Sequence, residues 1–223
     1  MAIKFFDMFA GIGGFRSGLE AIGGFECVGY CEIDKYAKQA YEAMYDTGGE
    51  LYFDDARKIV PEQLPDFDLL VGEFPCQSFS IAGARKGFDD TRGTLFFEIV
   101  RIASVKKPKY FFLENVPGLL NHDKGRTFET ILRTLDELGY DVCWQVLNSK
   151  NFGVPQSRKR VFIIGYLRGQ CAGEVLSFTQ TSGKALIQRK ANARWVNLLI
   201  KRTQLYTDKR FGRIRRSFGA LSY

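Results

Sequence analysis

The sequence predicts an α/β fold built around a doubly wound, mostly parallel sheet. Three observations carry this prediction. Apolar runs of strand length alternate with stretches of helical apolar spacing along residues 3–167. Internal repeats and low-complexity segments are absent from the sequence. The chain has 223 residues, 45% of them hydrophobic, which is enough to bury a full core.

The elements follow one another as strand, helix, strand. Phe15, Leu19 and Ile22 recur at helical spacing after the first strand, and Asp34 stands where it can cap the second helix. The last two apolar runs have no helix between them and are predicted to pair antiparallel. The predicted strands are 3–9, 25–32, 67–72, 109–115, 140–148 and 160–167, and the predicted helices are 13–23, 34–45, 94–107 and 127–139.

The sequence disfavours a membrane protein, a secreted protein and a fold held together by disulfides or zinc. No stretch approaches the roughly 18 uncharged apolar residues that a membrane helix needs, and the N-terminus lacks the pattern of a signal peptide. We therefore expect a cytoplasmic protein without a membrane span. The five cysteines are scattered and show no paired spacing, so we predict free thiols and neither a disulfide framework nor a zinc site.

The net charge of +7 is concentrated at the C-terminal end. From residue 175 onward there are eleven Lys or Arg and one acid, whereas the first 174 residues carry 21 bases and 24 acids. Such a basic block often binds nucleic acid through phosphate contacts, and it is equally typical of a solvated or disordered end. Charge by itself leaves these two interpretations open.

A glycine-rich turn follows the first predicted strand. "DMFAGIGGF" turns at Gly11, Gly13 and Gly14 and then enters a helix, so backbone amides and the helix N-terminus can face an anionic group. Glu32, 21 residues after Gly11, closes the second strand, where an acid can accept hydrogen bonds from ribose hydroxyls. Although the spacing is not the full dinucleotide fingerprint, the turn and the acid together predict a nucleoside-containing cofactor.

The third predicted strand leads to "EFPCQSFS", which contains Cys76. A buried structural cysteine is the ordinary alternative. Here Pro75 restricts the backbone, and a long polar stretch with three glycines follows, which is typical of an active-site loop. The sequence therefore predicts a nucleophile at Cys76. A Cys/His hydrolase is disfavoured because the only histidine, His122, lies in a predicted loop.

An acid and two arginines complete the candidate site. Glu114 closes an apolar strand, where partial desolvation should raise its pKa and let it hold a proton near neutrality, although a simple turn cap is the alternative. Arg158 and Arg160 alternate on one side of an entering strand. They form either a surface patch or a pair that holds an anion or orients a carboxyl group.

The blocks "DMFAGIGGF", "CEIDKYA", "EFPCQSFS", "GFDDTRGTLFFEI", "ENV" and "QSRKR" stand in this order within residues 3–166. In order and spacing they closely resemble the cytosine C5 DNA methyltransferases of bacterial restriction-modification systems. The resemblance implies a Rossmann-like fold, S-adenosylmethionine as cofactor, double-stranded DNA as partner, and a bacterial or phage origin.

The resemblance also assigns roles to residues. Cys76 would add to C6 of a flipped cytosine, Glu114 would protonate N3, and Arg158 and Arg160 would orient the substrate and Glu114. The cofactor would contact the turn, the acids and the pocket walls, at Phe9, Gly11, Ile12, Gly13, Gly14, Glu32, Ile33, Asp55, Pro75 and Leu95. DNA would be held by Gln77, Ser80, Arg85, Lys86 and Arg92.

The sequence departs from the family pattern in two places. The family usually has glycine before the aromatic residue of "FPCQ", whereas this chain has Glu73, which we expect either to strain the backbone or to add charge near the site. After residue 167, neither a target-recognition region nor the closing blocks with their Gly-Asn pair can be recognised. Only residues 193–206 retain some helical spacing.

We therefore expect a catalytic and cofactor-binding domain over residues 1–167 and a basic, atypical remainder over residues 168–223. Three explanations of the remainder stay open: a split enzyme completed by a second polypeptide, a truncated or frameshifted copy, and a minimal enzyme whose tail binds DNA. The leading function is a DNA cytosine C5 methyltransferase. The alternatives are an inactive remnant that binds only cofactor or DNA, and a tRNA cytosine methyltransferase.

Overall fold

A computed structural model describes the chain over residues 2–75, 95–152 and 155–169, together with the backbone of residues 177–181 and 184–188. Several predicted features lie outside these described residues. They are Cys76, Gln77, Ser80, Arg85, Lys86, Arg92 and the weak helical spacing of residues 193–206.

The centre of the fold is a seven-stranded sheet in the order β3-β2-β1-β4-β5-β7-β6. β1 to β5 run parallel, and β7 is antiparallel to both of its neighbours. The strands are β1 Ile3–Met8, β2 Phe25–Cys31, β3 Leu51–Phe53, β4 Leu69–Glu73, β5 Tyr110–Asn115, β6 Tyr140–Asn148 and β7 Lys159–Leu167. The helices are α1 Gly14–Ile22, α2 Lys35–Met44, α3 Leu95–Lys106 and α4 Arg126–Glu137.

Each face of the sheet carries its own apolar core, as alternation along the strands requires. On one face, Phe15 and Leu19 of α1 pack with Leu69, Val71 and Phe112 of the central strands. On the other face, α3 and α4 cover the strands through side chains that include Phe96, Ile99, Ile102, Phe128, Ile131 and Leu135. Helices on both faces confirm the doubly wound architecture.

The strand order reverses direction between β1 and β4. The chain moves from β1 outward to β2 and β3, then returns to place β4 on the other side of β1. In an open parallel sheet, the crevice outside the carboxyl ends of the strands at such a reversal is where ligands bind. The glycine turn follows β1 and the segment leading to Cys76 follows β4, so both leave the sheet at this crevice.

Most predicted elements are confirmed within one to three residues. Asp34 caps α2 by accepting the backbone N–H groups of Tyr36 and Ala37, both at 2.8 Å. β3 was missed because three residues, two of them exposed, give too short an apolar signal. A second, two-stranded sheet, β8 Ser177–Thr181 with β9 Lys184–Gln188, was also not predicted. Among the described residues, no helix has the length and apolar character needed to cross a bilayer.

Candidate active site

Glu114 lies at the carboxyl end of β5, on the face of the sheet that also carries α1. Its register partner on β7 is Phe162, so Arg160, two residues earlier on β7, points to the same face. The Nε of Arg160 lies 2.6 Å from Oε1 of Glu114, and the two side chains are 14% and 5% exposed. The strand register therefore brings the predicted acid and one predicted arginine into a buried ion pair.

Burial and charge act on Glu114 in opposite directions. Desolvation raises the pKa of Glu114 to about 7, although Arg160 and Arg158 favour its ionised form and oppose this rise. Desolvation also lowers the pKa of Arg158 to about 10, and its buried Nε has no hydrogen-bond partner among the described residues. With a pKa near neutrality, Glu114 can both hold and release a proton at physiological pH.

Asn115 ties the end of β5 to the segment that leads to Cys76. Its side-chain Nδ2 donates a 2.6 Å hydrogen bond to the carbonyl oxygen of Phe74, and this contact is buried. The ring of Phe74 packs against Phe96 of α3 with centroids 5.4 Å apart. Pro75 is exposed directly beyond this anchor. Thus the backbone two residues before Cys76 is fixed beside the strand end that carries Glu114.

Glu73 is the last residue of β4 and the register partner of Glu114. It lies in regular strand and is absent from the residues with positive φ, so the expected backbone strain does not occur. The expected ionisable group near the site is present, but its surroundings favour the neutral form. Burial is the first cause that raises the pKa of Glu73 well above its usual range, followed by the neighbouring Glu114.

The turn after β1 is held in left-handed backbone conformations. Phe9, Gly11 and Gly13 have φ values of 55°, 56° and 83°, and Phe9 is a non-glycine residue in a region that such residues seldom adopt. The N–H of Gly11 donates a 2.7 Å hydrogen bond to Oε2 of Glu32. A Cβ at Gly11 would meet no atom of the described residues within 4 Å, so these residues leave the space next to Gly11 open.

Glu32 joins the glycine turn to the start of α2. Its Oε1 accepts a 2.7 Å hydrogen bond from the N–H of Asp34, while Oε2 accepts that of Gly11. Glu32 itself is 9% exposed, whereas the adjacent Ile33 is 71% exposed. A fixed carboxylate and an exposed apolar side chain thus stand side by side at the carboxyl end of β2.

The remaining predicted cofactor residues surround the same edge of the sheet. Asp55 caps a short 3-10 helix at Ala56–Lys58 and forms a 2.8 Å ion pair with the exposed Arg57. Leu95 begins α3 and is half-buried. Asp55 is therefore engaged within its own loop, while its carboxylate retains lone pairs for a further donor.

A buried polar network under the glycine turn was not predicted. Tyr45 donates a 2.8 Å hydrogen bond from its hydroxyl to the carbonyl oxygen of Gly13 and also contacts the hydroxyl of Ser17. Arg16, 3% exposed, binds Glu50 at 2.7 Å and lies over the ring of Tyr45. One sign of this network is visible in the sequence: Arg16 is a charged residue on the apolar face of α1. Helical periodicity alone does not explain a charge at that position.

Replacing Gly13 by alanine should destabilise the fold more than the same change at Gly125. Both glycines are helix N-caps in the left-handed region, so each alanine should cost about 1–2 kcal/mol of strain. A Cβ at Gly13 would lie 2.3 Å from a ring carbon of Tyr45, whereas a Cβ at Gly125 meets its nearest atom at 3.6 Å. The clash should add about 1–3 kcal/mol, measured by urea unfolding. Equal losses at the two positions would show that Tyr45 is not held against the turn.

Comparison with known proteins fits this arrangement of strand ends. The family model described as C-5 cytosine-specific DNA methylase matches residues 3–210. The chain belongs to this family. Four of its methylase-like blocks, "DMFAGIGGF", "CEIDKYA", "ENV" and "QSRKR", lie in the structure at the edge of the sheet where the parallel strands end.

Curated members of the methylase family show how much of the protein is represented. The chain is 51% identical over 164 residues to orphan methyltransferase M.SPRI of Bacillus phage SPR, covering 73% of this chain and 37% of the relative. It is 52% identical over 165 residues to type II methyltransferase M.NgoBI of Neisseria gonorrhoeae, covering 73% and 50%. The chain thus spans half or less of the length of these relatives.

Solved structures of related architecture share the fold. Spodoptera frugiperda DNMT2 matches with a TM-score of 0.62 and 21% identity, covering 76% of this chain and 51% of that one. Entamoeba histolytica methyltransferase EhMeth matches with a TM-score of 0.57 and 20% identity, covering 85% and 57%. At 20–21% identity, this likeness shows a shared Rossmann-like fold and nothing beyond it.

Proposed function

We propose that this chain carries the catalytic and cofactor-binding part of a DNA cytosine C5 methyltransferase. The observation that supports this most strongly is Glu114. It is a buried acid with a pKa near 7, paired with Arg160, at the strand end tied to the segment before Cys76. Family membership over residues 3–210 supplies the reaction class to which this arrangement belongs.

The proposed chemistry begins with Cys76, because C5 of cytosine is a weak nucleophile. A thiolate forms a bond from sulfur to C6, and the displaced electron pair is delocalised toward C5 as Glu114 gives a proton to N3. After C5 has been methylated, a base takes the C5 proton, the electron pair of that C–H bond re-forms the C5–C6 double bond, and the Cys76 sulfur leaves as a thiolate while N3 returns its proton to Glu114. Arg160 and Arg158 hold Glu114 in place and stabilise its carboxylate after it has given up the proton.

The residues at the glycine turn fit S-adenosylmethionine. That cofactor supplies a methyl group on a sulfonium centre. Open space beside Gly11 leaves room for a ligand, Glu32 presents a carboxylate to ribose hydroxyls, and exposed Ile33 offers an apolar surface to a base. Further contacts are proposed at Phe9, Ile12, Gly13, Gly14, Asp55, Pro75 and Leu95.

Changing Glu32 to glutamine should weaken binding of S-adenosylmethionine. In the native chain, the two carboxylate oxygens of Glu32 accept the backbone N–H groups of Gly11 and Asp34. Glutamine has one oxygen and an NH₂ group, which cannot accept a hydrogen bond, so Gly11 or Asp34 loses its partner. We expect a loss of about 1–3 kcal/mol in binding, or roughly 5- to 150-fold in Kd, by isothermal titration calorimetry. A Glu26→Gln variant, on the same strand near its start, is the matched control and should bind normally. Unchanged affinity in Glu32→Gln would remove Glu32 from the cofactor site.

DNA is the proposed substrate, and its base must leave the duplex to reach a cysteine in a pocket. Gln77, Ser80, Arg85, Lys86 and Arg92 are proposed to hold the opened DNA, and the basic residues after position 175 to contact phosphates. A second polypeptide that supplies target recognition is a further proposed partner.

The test is transfer of a labelled methyl group from S-adenosylmethionine to duplex DNA, with the product nucleosides identified by mass spectrometry. The 223-residue chain is assayed alone and together with the product of the adjacent reading frame. We expect 5-methylcytosine in at least one of the two assays. Binding of cofactor without methylation in either assay would contradict the proposal and support a remnant, and methylation of tRNA but not DNA would contradict the proposed substrate.

A further inference from the structure

Beside Glu114 lies a further acid, the half-buried Glu73, that the proposed mechanism does not use. Glu73 and Glu114 are register partners on neighbouring parallel strands, so their side chains leave the same face of the sheet from backbones about 4.8 Å apart. Both lie at the ends of their strands. The pairing of β4 with β5 therefore makes the two side chains neighbours on one face of the sheet.

The charged groups that face Glu73 come from three neighbouring parts of the fold. Glu114 stands on β5, Asp7 on β1, and Arg158 with Arg160 at the start of β7. Asp7 is 1% exposed and pairs in register with Val71, which places it on the same face as Glu73. Three acids and two arginines share this edge, so complete ionisation of the acids would leave adjacent carboxylates incompletely balanced.

We propose that Glu73 and Glu114 form a carboxyl pair that shares one proton, with Glu73 acting as a positioning residue that keeps a proton available to Glu114. This inference rests on the proposed function, because it assigns to Glu73 a part in the acid step of Glu114. Like charges on register partners of neighbouring strands oppose double ionisation, so the last proton of the pair is held more tightly than a single acid would hold it.

The direction of the expected shift follows from the step in which the Glu73–Glu114 pair loses its last proton. In the native pair, removing the last proton creates two adjacent carboxylates, and the midpoint for this step is raised. In Glu73→Gln the second carboxylate can never form, so the last ionisation sensed at Glu114 should occur at a lower pH. Glutamine is nearly isosteric with glutamic acid, so the packing of β4 is retained.

The experiment titrates Glu114 directly in the 223-residue chain. Protein labelled with ¹³C at the glutamate side-chain carboxyl carbon is followed by NMR, and Glu114 is assigned by the signal missing from Glu114→Gln. We expect the last ionisation sensed at Glu114 to fall by about 1 pH unit or more in Glu73→Gln. Glu129→Gln, an exposed position on α4, is the control and should leave this midpoint unchanged.

Two results would overturn the carboxyl pair. One is an identical Glu114 midpoint in the native chain and in Glu73→Gln. The other comes from Glu73→Gly, which restores the residue expected from the family pattern. If glycine lowers the midpoint and glutamine does not, the side chain acts through packing and not through its charge. Circular dichroism of each variant confirms that a folded protein is being compared.

The titration does not depend on methyl transfer, so the two proposals fail separately. A lowered midpoint in a chain that never methylates DNA supports the pair and counts against the proposed function. Methylation whose alkaline limit is the same in the native chain and in Glu73→Gln supports the function and overturns the pair. If both proposals hold, the alkaline limit of kcat moves to lower pH in Glu73→Gln by the same amount as the NMR midpoint.

Discussion

Replacing Cys76 by serine is expected to reduce methyl transfer to the background of the assay. A serine hydroxyl does not ionise near neutral pH and cannot add to C6 of cytosine as a thiolate does. Because Phe74 is held by Asn115 and Phe96, the substitution should leave the ends of β4 and β5 in place. Cofactor affinity, measured by calorimetry, should therefore remain at the native value.

Cys143→Ala is the matched control for this change. Cys143 is 5% exposed on β6, and burial raises the pKa of its thiol to about 12, so it has no thiolate to contribute at neutral pH. The folded variant should retain native activity with a modest loss of stability. Methyl transfer by Cys76→Ser at a rate comparable with this control would show that residue 76 is not the nucleophile.

Replacing Glu114 by glutamine should lower kcat by about 10²- to 10⁴-fold with a smaller change in KM. Glutamine keeps a hydrogen-bonding group at the end of β5 but cannot give a proton to N3, so the loss falls on the chemical step. It also leaves Arg160, 2.6 Å from the native carboxylate, without its counter-ion. Single-turnover kinetics with saturating DNA measure the effect.

The control for Glu114→Gln is Glu129→Gln, which makes the same chemical change on the exposed side of α4. It should have native kinetics. If Glu114→Gln loses affinity for DNA while retaining kcat, then Glu114 binds the substrate without acting as its acid, and the assigned proton transfer is wrong.

Strand–helix alternation was sufficient to predict the doubly wound sheet, because each long element buries one continuous apolar pattern. The antiparallel pairing of β6 with β7 was predictable for a related reason: too few residues separate them for a crossover helix. β3 could not be predicted, because Leu51–Phe53 owes its conformation to pairing with β2 and not to a local pattern. Tertiary context decides such short edge strands.

The candidate site was predictable where chemistry dictates residue type at a strand end. Glu114 and Arg160 were both proposed from sequence, and the register of β5 with β7 explains why they meet. Asn115 entered the sequence analysis only as part of the block "ENV", because its bond to Phe74 joins residues 41 positions apart. The network around Arg16 and Tyr45 was missed for the same reason: its partners come from α1, α2 and the loop after α2.

Glu73 shows a different limit of sequence reasoning. Its departure from the family pattern was visible, but whether it would act through the backbone or through charge depended on the local conformation. The structure places it in regular strand, which removes the expected strain, and beside Glu114, which makes charge the operative effect.

The most direct test of the whole account is covalent trapping on duplex DNA that contains 5-fluorocytosine. This base has no proton at C5, so the elimination that releases the cysteine cannot occur and the sulfur–C6 bond persists. In the presence of S-adenosylmethionine, we predict a denaturation-resistant protein–DNA adduct whose crosslinked peptide contains Cys76, and no adduct with Cys76→Ser. If the native chain forms no adduct, either alone or with the product of the adjacent reading frame, the proposed covalent addition of Cys76 to cytosine is wrong.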